Sequence, residues 1–407
     1  LELEIRRLGA QGDGAAEGRE GAIHVRYALP GERVLAEVTE ERGRLVQVLR
    51  PSPDRAAPIC RHFGACGGCA GQHMGAPLYR SWKEETVRAA FAHRGLAPEI
   101  APMAAISPGT RRRAVLFAVR DKGGLRLGFR EEGSHALVDI AECPVLAPAI
   151  VNALTTLREI SVASVPEGGE VRLTVTATAA GLDVAIEAEG VVAGAGDAAR
   201  LAGLAARAGV ARLMLNGDLI ALRATPALTF AGVDVRLPAG AFVQAVPEAE
   251  AIMTGLLVAA TAKARQVADL FCGIGTFTLP LARKARVLAV DGNRAAIAAL
   301  KDAALRAPGL KAIEAKVRDL AREPLSRKEL APFDAVVFDP PRAGARAQAE
   351  ALAKSKVGVV IAVSCNPATL ARDARILVDG GYCIDRVTPI DQFVFSAELE
   401  TVAVLRR

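Results

Sequence analysis

The chain has 407 residues, 51% of them hydrophobic and 24% charged, with a formal net charge of +6. So long a chain exceeds one compact core and divides into two or three domains, and its composition excludes a disordered or low-complexity protein. The mild positive charge suits nucleic acid without demanding it, and the longest apolar run, around Val357 to Val363, is strand-sized, so no membrane-spanning helix is expected.

The opening residues, Leu1-Glu2-Leu3-Glu4-Ile5, lack the basic and apolar regions of a signal peptide. Cytoplasm is the expected compartment, where the seven cysteines are expected to be ligands or nucleophiles rather than disulfides. Residues 2–7, 22–25, 33–40 and 43–49 alternate as strands between Gly-rich or Pro-Gly turns, which predicts a small five-stranded barrel over residues 1–52. A barrel of this size is a common oligonucleotide-binding module, and a structural cap would read the same. After a Pro-rich linker comes Cys60-Arg61-His62-Phe63-Gly64-Ala65-Cys66-Gly67-Gly68-Cys69, with a fourth cysteine far away in Glu142-Cys143-Pro144. Glycines let the backbone wrap a metal centre and leave N–H groups free for inorganic sulfur. Four thiolates can hold zinc or an iron–sulfur cluster; three clustered plus one remote favour the [4Fe–4S] cluster over the paired Cys-x-x-Cys pattern of zinc. His62 and His73 are read as bystanders.

From about 80 to 250, strands at 114–119, 125–130, 171–178 and 181–187 alternate with helices at 148–160 and 198–207, which predicts a mixed α+β central domain over residues 53–250. Arg111-Arg112-Arg113 has the charge to contact phosphate, although a charge run is usually a solvated face. Near residue 250 the rhythm becomes strand–helix–strand, the pattern of a parallel sheet covered on both faces, and residues 251–407 are predicted to form a doubly wound domain. Strand 266–271 runs into Asp269-Leu270-Phe271-Cys272-Gly273-Ile274-Gly275-Thr276, a glycine turn that lets a ligand lie on bare backbone. Strand 287–290 ends in Asp291, where an acid can hold both ribose hydroxyls, and strand 312–317 ends near Asp319, placed to meet an adenine amine. That set fits S-adenosylmethionine better than a nicotinamide cofactor. Strand 333–338 ends in Asp339-Pro340-Pro341-Arg342, and strand 356–363 delivers Cys365 into a turn before a helix at 368–378. A thiol at the carboxyl end of a parallel strand stands on the rim where such sheets bind ligands. Aromatics make up only 4% of the chain, so Phe271, Phe393 and Phe395 near this rim stand out. Cys272 and Cys383 are read as buried packing residues.

These motifs together resemble the uracil-C5 RNA methyltransferase family in its iron–sulfur branch, which methylates uridine in ribosomal or transfer RNA. The resemblance runs from a TRAM-like barrel through the Cys-x5-Cys-Gly-Gly-Cys loop and Cys143-Pro144 to Asp-Leu-Phe-Cys-Gly-Ile-Gly, Asp-Pro-Pro-Arg and Ser-Cys-Asn-Pro. It includes Gly240-Ala241-Phe242-Val243-Gln244, similar to the family's Phe-x-Gln segment. It implies Cys365 as nucleophile and Glu400 as the base that removes the C5 proton. It implies that Gln244, Phe271, Thr276, Asp291, Asp319 and Asp339 line the methyl donor, and that Cys60, Cys66, Cys69 and Cys143 bind the cluster. Val246, Thr276, Asp291 and the turn Phe393-Val394-Phe395-Ser396 depart from the family's usual Asn, Asn, Glu and Phe-Pro-His-Thr, which leaves the chemistry intact and the RNA target open.

The expected fold class is therefore α/β: a C-terminal doubly wound, seven-strand Rossmann-like methyltransferase domain behind a TRAM/OB-like barrel and a mixed central domain. The expected partner is RNA, 23S ribosomal RNA first and transfer RNA second, bound by a monomer. A non-catalytic RNA-binding or assembly factor would need neither Cys365 nor Glu400. A small-molecule methyltransferase would leave the barrel and the arginine triplet without a purpose.

Overall fold

The computed structural model describes residues 1–18, 21–190 and 194–407. Strands Glu2–Leu8, Gly14–Glu17, Ala22–Val25, Arg33–Thr39 and Arg42–Arg50 close into a barrel around Ile5, Val25, Val34 and other buried apolar side chains. Glu2–Leu8, Ala22–Val25 and Arg33–Thr39 follow the predicted alternation, whereas Arg42–Arg50 lies where a strand is expected but buries only one residue fully. The fifth, Gly14–Glu17, has the pattern buried–buried–buried–exposed, so no alternation announces it. Gly14 is required there, because a Cβ would stand 2.6 Å from the Ala28 carbonyl oxygen.

A seven-stranded sheet follows, in the spatial order Asp218–Leu222, Val210–Leu215, Gly181–Glu187, Glu170–Thr178, Arg113–Asp121, Gly124–Arg130 and Leu137–Asp139. The helix expected over 148–160 is two helices, Pro148–Asn152 and Leu154–Ser164, meeting at Ala153. Their apolar faces and that of Ala195–Arg207 cover the sheet.

The strands of the last domain are numbered here in their own order: β1 (Gln266–Leu270), β2 (Arg286–Asp291), β3 (Ile313–Val317), β4 (Ala335–Phe338), β5 (Val359–Ser364), β6 (Cys383–Ile390) and β7 (Glu400–Arg406). They form one sheet in the order 3-2-1-4-5-7-6, parallel except for β7. Alternate residues face opposite sides, as the pleat requires. Ala268, Leu270, Val336, Phe338 and Val360 enter one core, whereas Val267, Ala335, Val337, Ile361 and Val363 enter another. Helix Pro247–Ala260 lies in the second core, and Pro367–Asp379 in the first. The first core also takes in Tyr79, Trp82, Val87 and Phe91 of a helix far upstream, Ala76–Ala92. Burying each such side chain contributes roughly 1.5–3 kcal/mol, so this helix is bound firmly to the sheet. Among the described residues no helix is long and apolar enough to cross a membrane.

Candidate active site

Strand register brings the predicted residues to one rim. Leu270 of β1 lies opposite Phe338 of β4, so the next residues, Phe271 and Asp339, leave the sheet side by side. β2 pairs with β1 through Val290 and Leu270 and ends in Asp291; β3 ends at Val317 opposite Asp291, two residues before Asp319. Phe338 faces Ala362 across β4 and β5, and β5 ends one residue before Cys365. β7 runs back along β5 with Thr401 opposite Ser364. Glu400, which opens β7, therefore arrives where Cys365 leaves.

The glycine turn after β1 is shaped by left-handed backbone at Phe271 (φ 59°), Gly273 (φ 54°) and Gly275 (φ 94°). A Cβ on Gly275 would stand 2.5 Å from Leu300 Cδ1, so only glycine lets helix Arg294–Arg306 pack this close. Asp291 is tied to that turn: it accepts from the N–H of Gly273 at 2.9 Å and of Asn293 at 2.7 Å. Thr276 is buried beside them. Asp319 is exposed and accepts from the Ala321 N–H at 3.0 Å. The Asp339 and Cys365 turns are stitched together, since Asn366 and Thr369 both donate to the Arg342 carbonyl, at 3.4 and 3.3 Å.

A relay of two amides then joins two carboxyls. Gln244 Nε2 donates to Asp339 Oδ2 at 2.8 Å; Gln392 Nε2 donates to Gln244 Oε1 and to Glu400 Oε2, both at 2.9 Å. Gln244, Gln392 and Glu400 are buried, and Glu400 Oε1 and Gln392 Oε1 have no partner among the described residues. Burial first, and the neighbouring Asp339 second, push the Glu400 carboxyl well above the ordinary range. Burial also pushes Asp339 up, against the hydrogen bond from Gln244. The Cys365 thiol is half-buried and is pushed up to about 11 by burial, then by Glu400 and Asp339, with the Arg342 guanidinium opposing. The start of helix Pro367–Asp379, two residues on, favours the thiolate. Cys365 opens on a cleft of about 680 Å³ shared by Arg342 and Glu398, by Trp82 of the upstream helix and Arg94 just after it, and by Arg7–Gln11 of the barrel. Arg342 and Glu398 are ion-paired across it.

All four predicted ligand cysteines line a second cavity, of about 330 Å³, with Arg111, Phe393 and Glu398 among the other walls. Burial raises Cys66 and Cys143, and raises Cys69 to about 12. The thiols act on one another, but among the described residues no group of three or more Cys, His, Asp or Glu side chains is set to hold a metal ion. Cys272 is buried as expected, whereas Cys383, at the start of β6, is exposed.

The arginine triplet is neither a solvated face nor an open phosphate cluster. Buried Arg112 pairs with Glu250 at 2.6 Å and donates to the Gln244 carbonyl at 3.1 Å. Arg111 lies over the Phe393 ring and Arg113 over the Phe242 ring. Sequence reading also assigned no role to Gln392, Tyr79 or Lys83. The available signal was a lysine on the apolar face Tyr79, Trp82, Val87 and Phe91.

A sheet of this order, with a glycine turn after its first strand and an acid after its second, is a nucleoside-binding α/β fold. The family described as tRNA (uracil-5-)-methyltransferase matches residues 201–407. An uncharacterized RNA methyltransferase of Brucella suis biovar 1 is 48% identical over 408 residues, covering 100% of this chain and 98% of that protein. The 23S rRNA (uracil(1939)-C(5))-methyltransferase RlmD of Chromohalobacter salexigens is 37% identical over 428 residues, covering 100% of this chain and 89% of that protein. The crystal structure of Pyrococcus abyssi tRNA (uracil-54, C5)-methyltransferase in complex with S-adenosyl-L-homocysteine superposes with a TM-score of 0.78 at 25% identity, over 99% of each chain. The chain belongs to the tRNA (uracil-5-)-methyltransferase family and is an S-adenosylmethionine-dependent RNA (uracil-C5)-methyltransferase.

Proposed function

We propose that the chain methylates C5 of one uridine in 23S ribosomal RNA, with Cys365 as nucleophile and Glu400 as base. The observation that carries this is the meeting of β5 and β7, which brings a thiol and a buried carboxyl to one rim beside Asp339. S-adenosylmethionine supplies a methyl group on a sulfonium, and Phe271, Thr276, Asp291, Asp319, Asp339 and Gln244 would line it. Uracil C5 is too weak a nucleophile to take that methyl unaided. The Cys365 thiolate adds to C6, its electron pair forms the S–C6 bond, and the C5–C6 π pair moves toward O4. C5, now enolate-like, takes the methyl as the donor's sulfur leaves with its bonding pair. Glu400 then removes the C5 proton; the C–H pair rebuilds C5=C6 and expels Cys365 as thiolate. Both groups act deprotonated and both are raised, so the reaction gains rate as pH rises through neutrality. The target base has to leave its stack to reach this rim, and the barrel, read as TRAM-like, would help hold the RNA.

The units 1–52, 53–250 and 251–407 would serve as RNA-binding barrel, central domain and methyl-transfer domain of a cytoplasmic monomer. We also propose that Cys60, Cys66, Cys69 and Cys143 hold a [4Fe–4S] cluster. Four thiols lining one cavity supply the ligand number such a cluster takes, and their sulfurs would hold it. The Arg111 guanidinium, near Cys143 and Cys69, would offset the negative charge of a thiolate-ligated cluster. Cys66→Ser should lose the visible absorbance of the purified protein, and an unchanged spectrum would refute the cluster.

Transfer RNA is the second reading, favoured by the Pyrococcus abyssi structure; the greater identity to a 23S rRNA enzyme puts ribosomal RNA first. The test is the 5-methyluridine content of ribosomal and transfer RNA from a deletion strain and its parent. Loss from 23S RNA supports the proposal, loss from transfer RNA alone replaces it with the second reading, and no loss in either refutes both.

A further inference from the structure

Lys83 is the one charged residue on the buried face of helix Ala76–Ala92, with its side chain 1% exposed. Its ammonium meets Asp391 Oδ1 at 3.1 Å, and Asp391 is equally buried. A buried lysine without compensation would be costly, and here each of its donors has a partner in one short segment. Nζ also donates to the carbonyls of Glu398 and, at 3.5 Å, Phe393. One helical turn earlier, Tyr79 donates its hydroxyl proton to Asp391 Oδ2 at 2.8 Å and accepts the Phe395 N–H at 2.8 Å. Phe395 has φ 63°, a conformation that persists for a bulky residue only when its surroundings hold it. Its carbonyl is held too, by the N–H groups of Ala70 and Gly71 at 2.6 and 2.9 Å.

Every one of these bonds falls on residues 391–398, within the connection 391–399 from β6 to β7. That connection begins with Asp391 and Gln392, the amide that donates to Glu400, and runs up to Glu400 itself. We propose that Lys83, with Tyr79 and Asp391, is a positioning centre: it holds the β6–β7 connection so that Gln392 and Glu400 stand correctly against C5 of the target base. The proposal rests on the role given above to Glu400. None of the three lines the cleft onto which Cys365 opens, so they act on the step that Glu400 performs and not on those before it.

The chemistry separates that step from the others. If proton removal is slowed, the base has already been methylated at C5 and still carries Cys365 at C6, so a protein–RNA adduct that survives denaturant accumulates. The full-length enzyme is incubated with methyl-labelled S-adenosylmethionine and 23S ribosomal RNA from a deletion strain, and label is followed in the adduct and in released RNA. Lys83→Met should label the adduct at the parental single-turnover rate and release methylated RNA ~100-fold more slowly, the scale of a small misplacement of a catalytic group. Tyr79→Phe, which keeps the ring and removes one hydroxyl, should show the same partition with a smaller slowing, and it decides the matter if Lys83→Met does not fold. Michaelis constants for RNA and donor should stay within about twofold, as expected when only a later step is displaced. Parental release from the folded variants would overturn the inference, as would adduct formation and release falling together, the mark of general structural damage. If Glu400→Gln gives no adduct while the parent methylates RNA, the role of Glu400 fails, and the inference with it.

Discussion

Replacing Glu400 with glutamine tests the base with little steric change. In the parent, Glu400 Oε2 accepts from Gln392 at 2.9 Å and Oε1 has no partner among the described residues. The new amide can keep the first bond through its oxygen and directs an N–H at the unpartnered side, a change on the order of 1–3 kcal/mol at worst. Loss of general-base catalysis costs about 10²- to 10⁴-fold in rate, or roughly 3–6 kcal/mol of barrier. Turnover of Glu400→Gln on 23S RNA should therefore fall at least ~100-fold while thermal unfolding near pH 6 moves little.

Stability should respond to pH in a definite direction. Folding raises the Glu400 carboxyl above its ordinary value, by burial and by Asp339. A group held this way contributes its full stability below the unfolded value near ~4.3 and loses it as pH rises through the folded value. Each unit of upward shift costs about 1.4 kcal/mol of stability at a pH above both values. Glu400→Gln removes that liability, so its melting temperature should gain on the parent's between pH 6 and pH 9. Turnover within tenfold of parent, or a melting difference that moves the other way, would refute the assignment of a buried, proton-holding base.

Three further perturbations probe other parts of the site. Gly275→Ala places a Cβ 2.5 Å from Leu300 Cδ1 at φ 94°; it should cost roughly 1–3 kcal/mol in urea unfolding and weaken donor binding by calorimetry, and an unchanged midpoint would contradict the packing argument. Arg112→Met leaves Glu250 buried without its 2.6 Å partner, so unfolding should show a loss of about 3–5 kcal/mol, largely recovered in Arg112→Met with Glu250→Met. With Cys365 raised to about 11, iodoacetamide labelling of the Cys365 peptide, read by mass spectrometry in the intact enzyme, should rise about tenfold per pH unit from pH 7 to 9 as thiolate accumulates; a plateau in that window would contradict the raised thiol.

The last domain was legible because its chemistry sits where pattern is strongest, at strand ends followed by glycine, proline or asparagine turns. Asp291, Asp339 and Cys365 each follow a short apolar run, and register alone gathers them. Gln392 was invisible because its role is a bond to Gln244, 148 residues away. Helix Ala76–Ala92 was missed because its N-cap, Gly75, offers no side-chain cap and its first turn carries no acid. The strand Gly14–Glu17 buries small residues at three successive positions, so no alternation marks it in the sequence. The arginine triplet misled because successive side chains of extended backbone leave on opposite sides, so Arg112 is buried against Glu250 whereas Arg111 and Arg113 lie against rings.

The connection between β6 and β7 explains why the chemistry is not confined to the domain that carries its motifs. Arg111 of the central sheet region lies over Phe393, Ala70 and Gly71 beyond the cysteine loop hold Phe395, and Tyr79 and Lys83 hold Asp391. The same segment walls the cysteine cavity through Phe393, Val394, Ser396 and Glu398, and Glu398 reaches across the cleft to Arg342. Residues 251–407 on their own would keep the glycine turn, Asp291 and the Cys365 turn, all of which are held from within the sheet. They would lose each external partner of the segment that delivers Gln392 and Glu400, and would expose the face of the first core that Trp82 and Phe91 cover. On the proposed roles, the turns that carry Asp291 and Cys365 are held from within the sheet, whereas the segment that leads to Glu400 is held by Ala70, Gly71, Tyr79, Lys83 and Arg111, all upstream of β1.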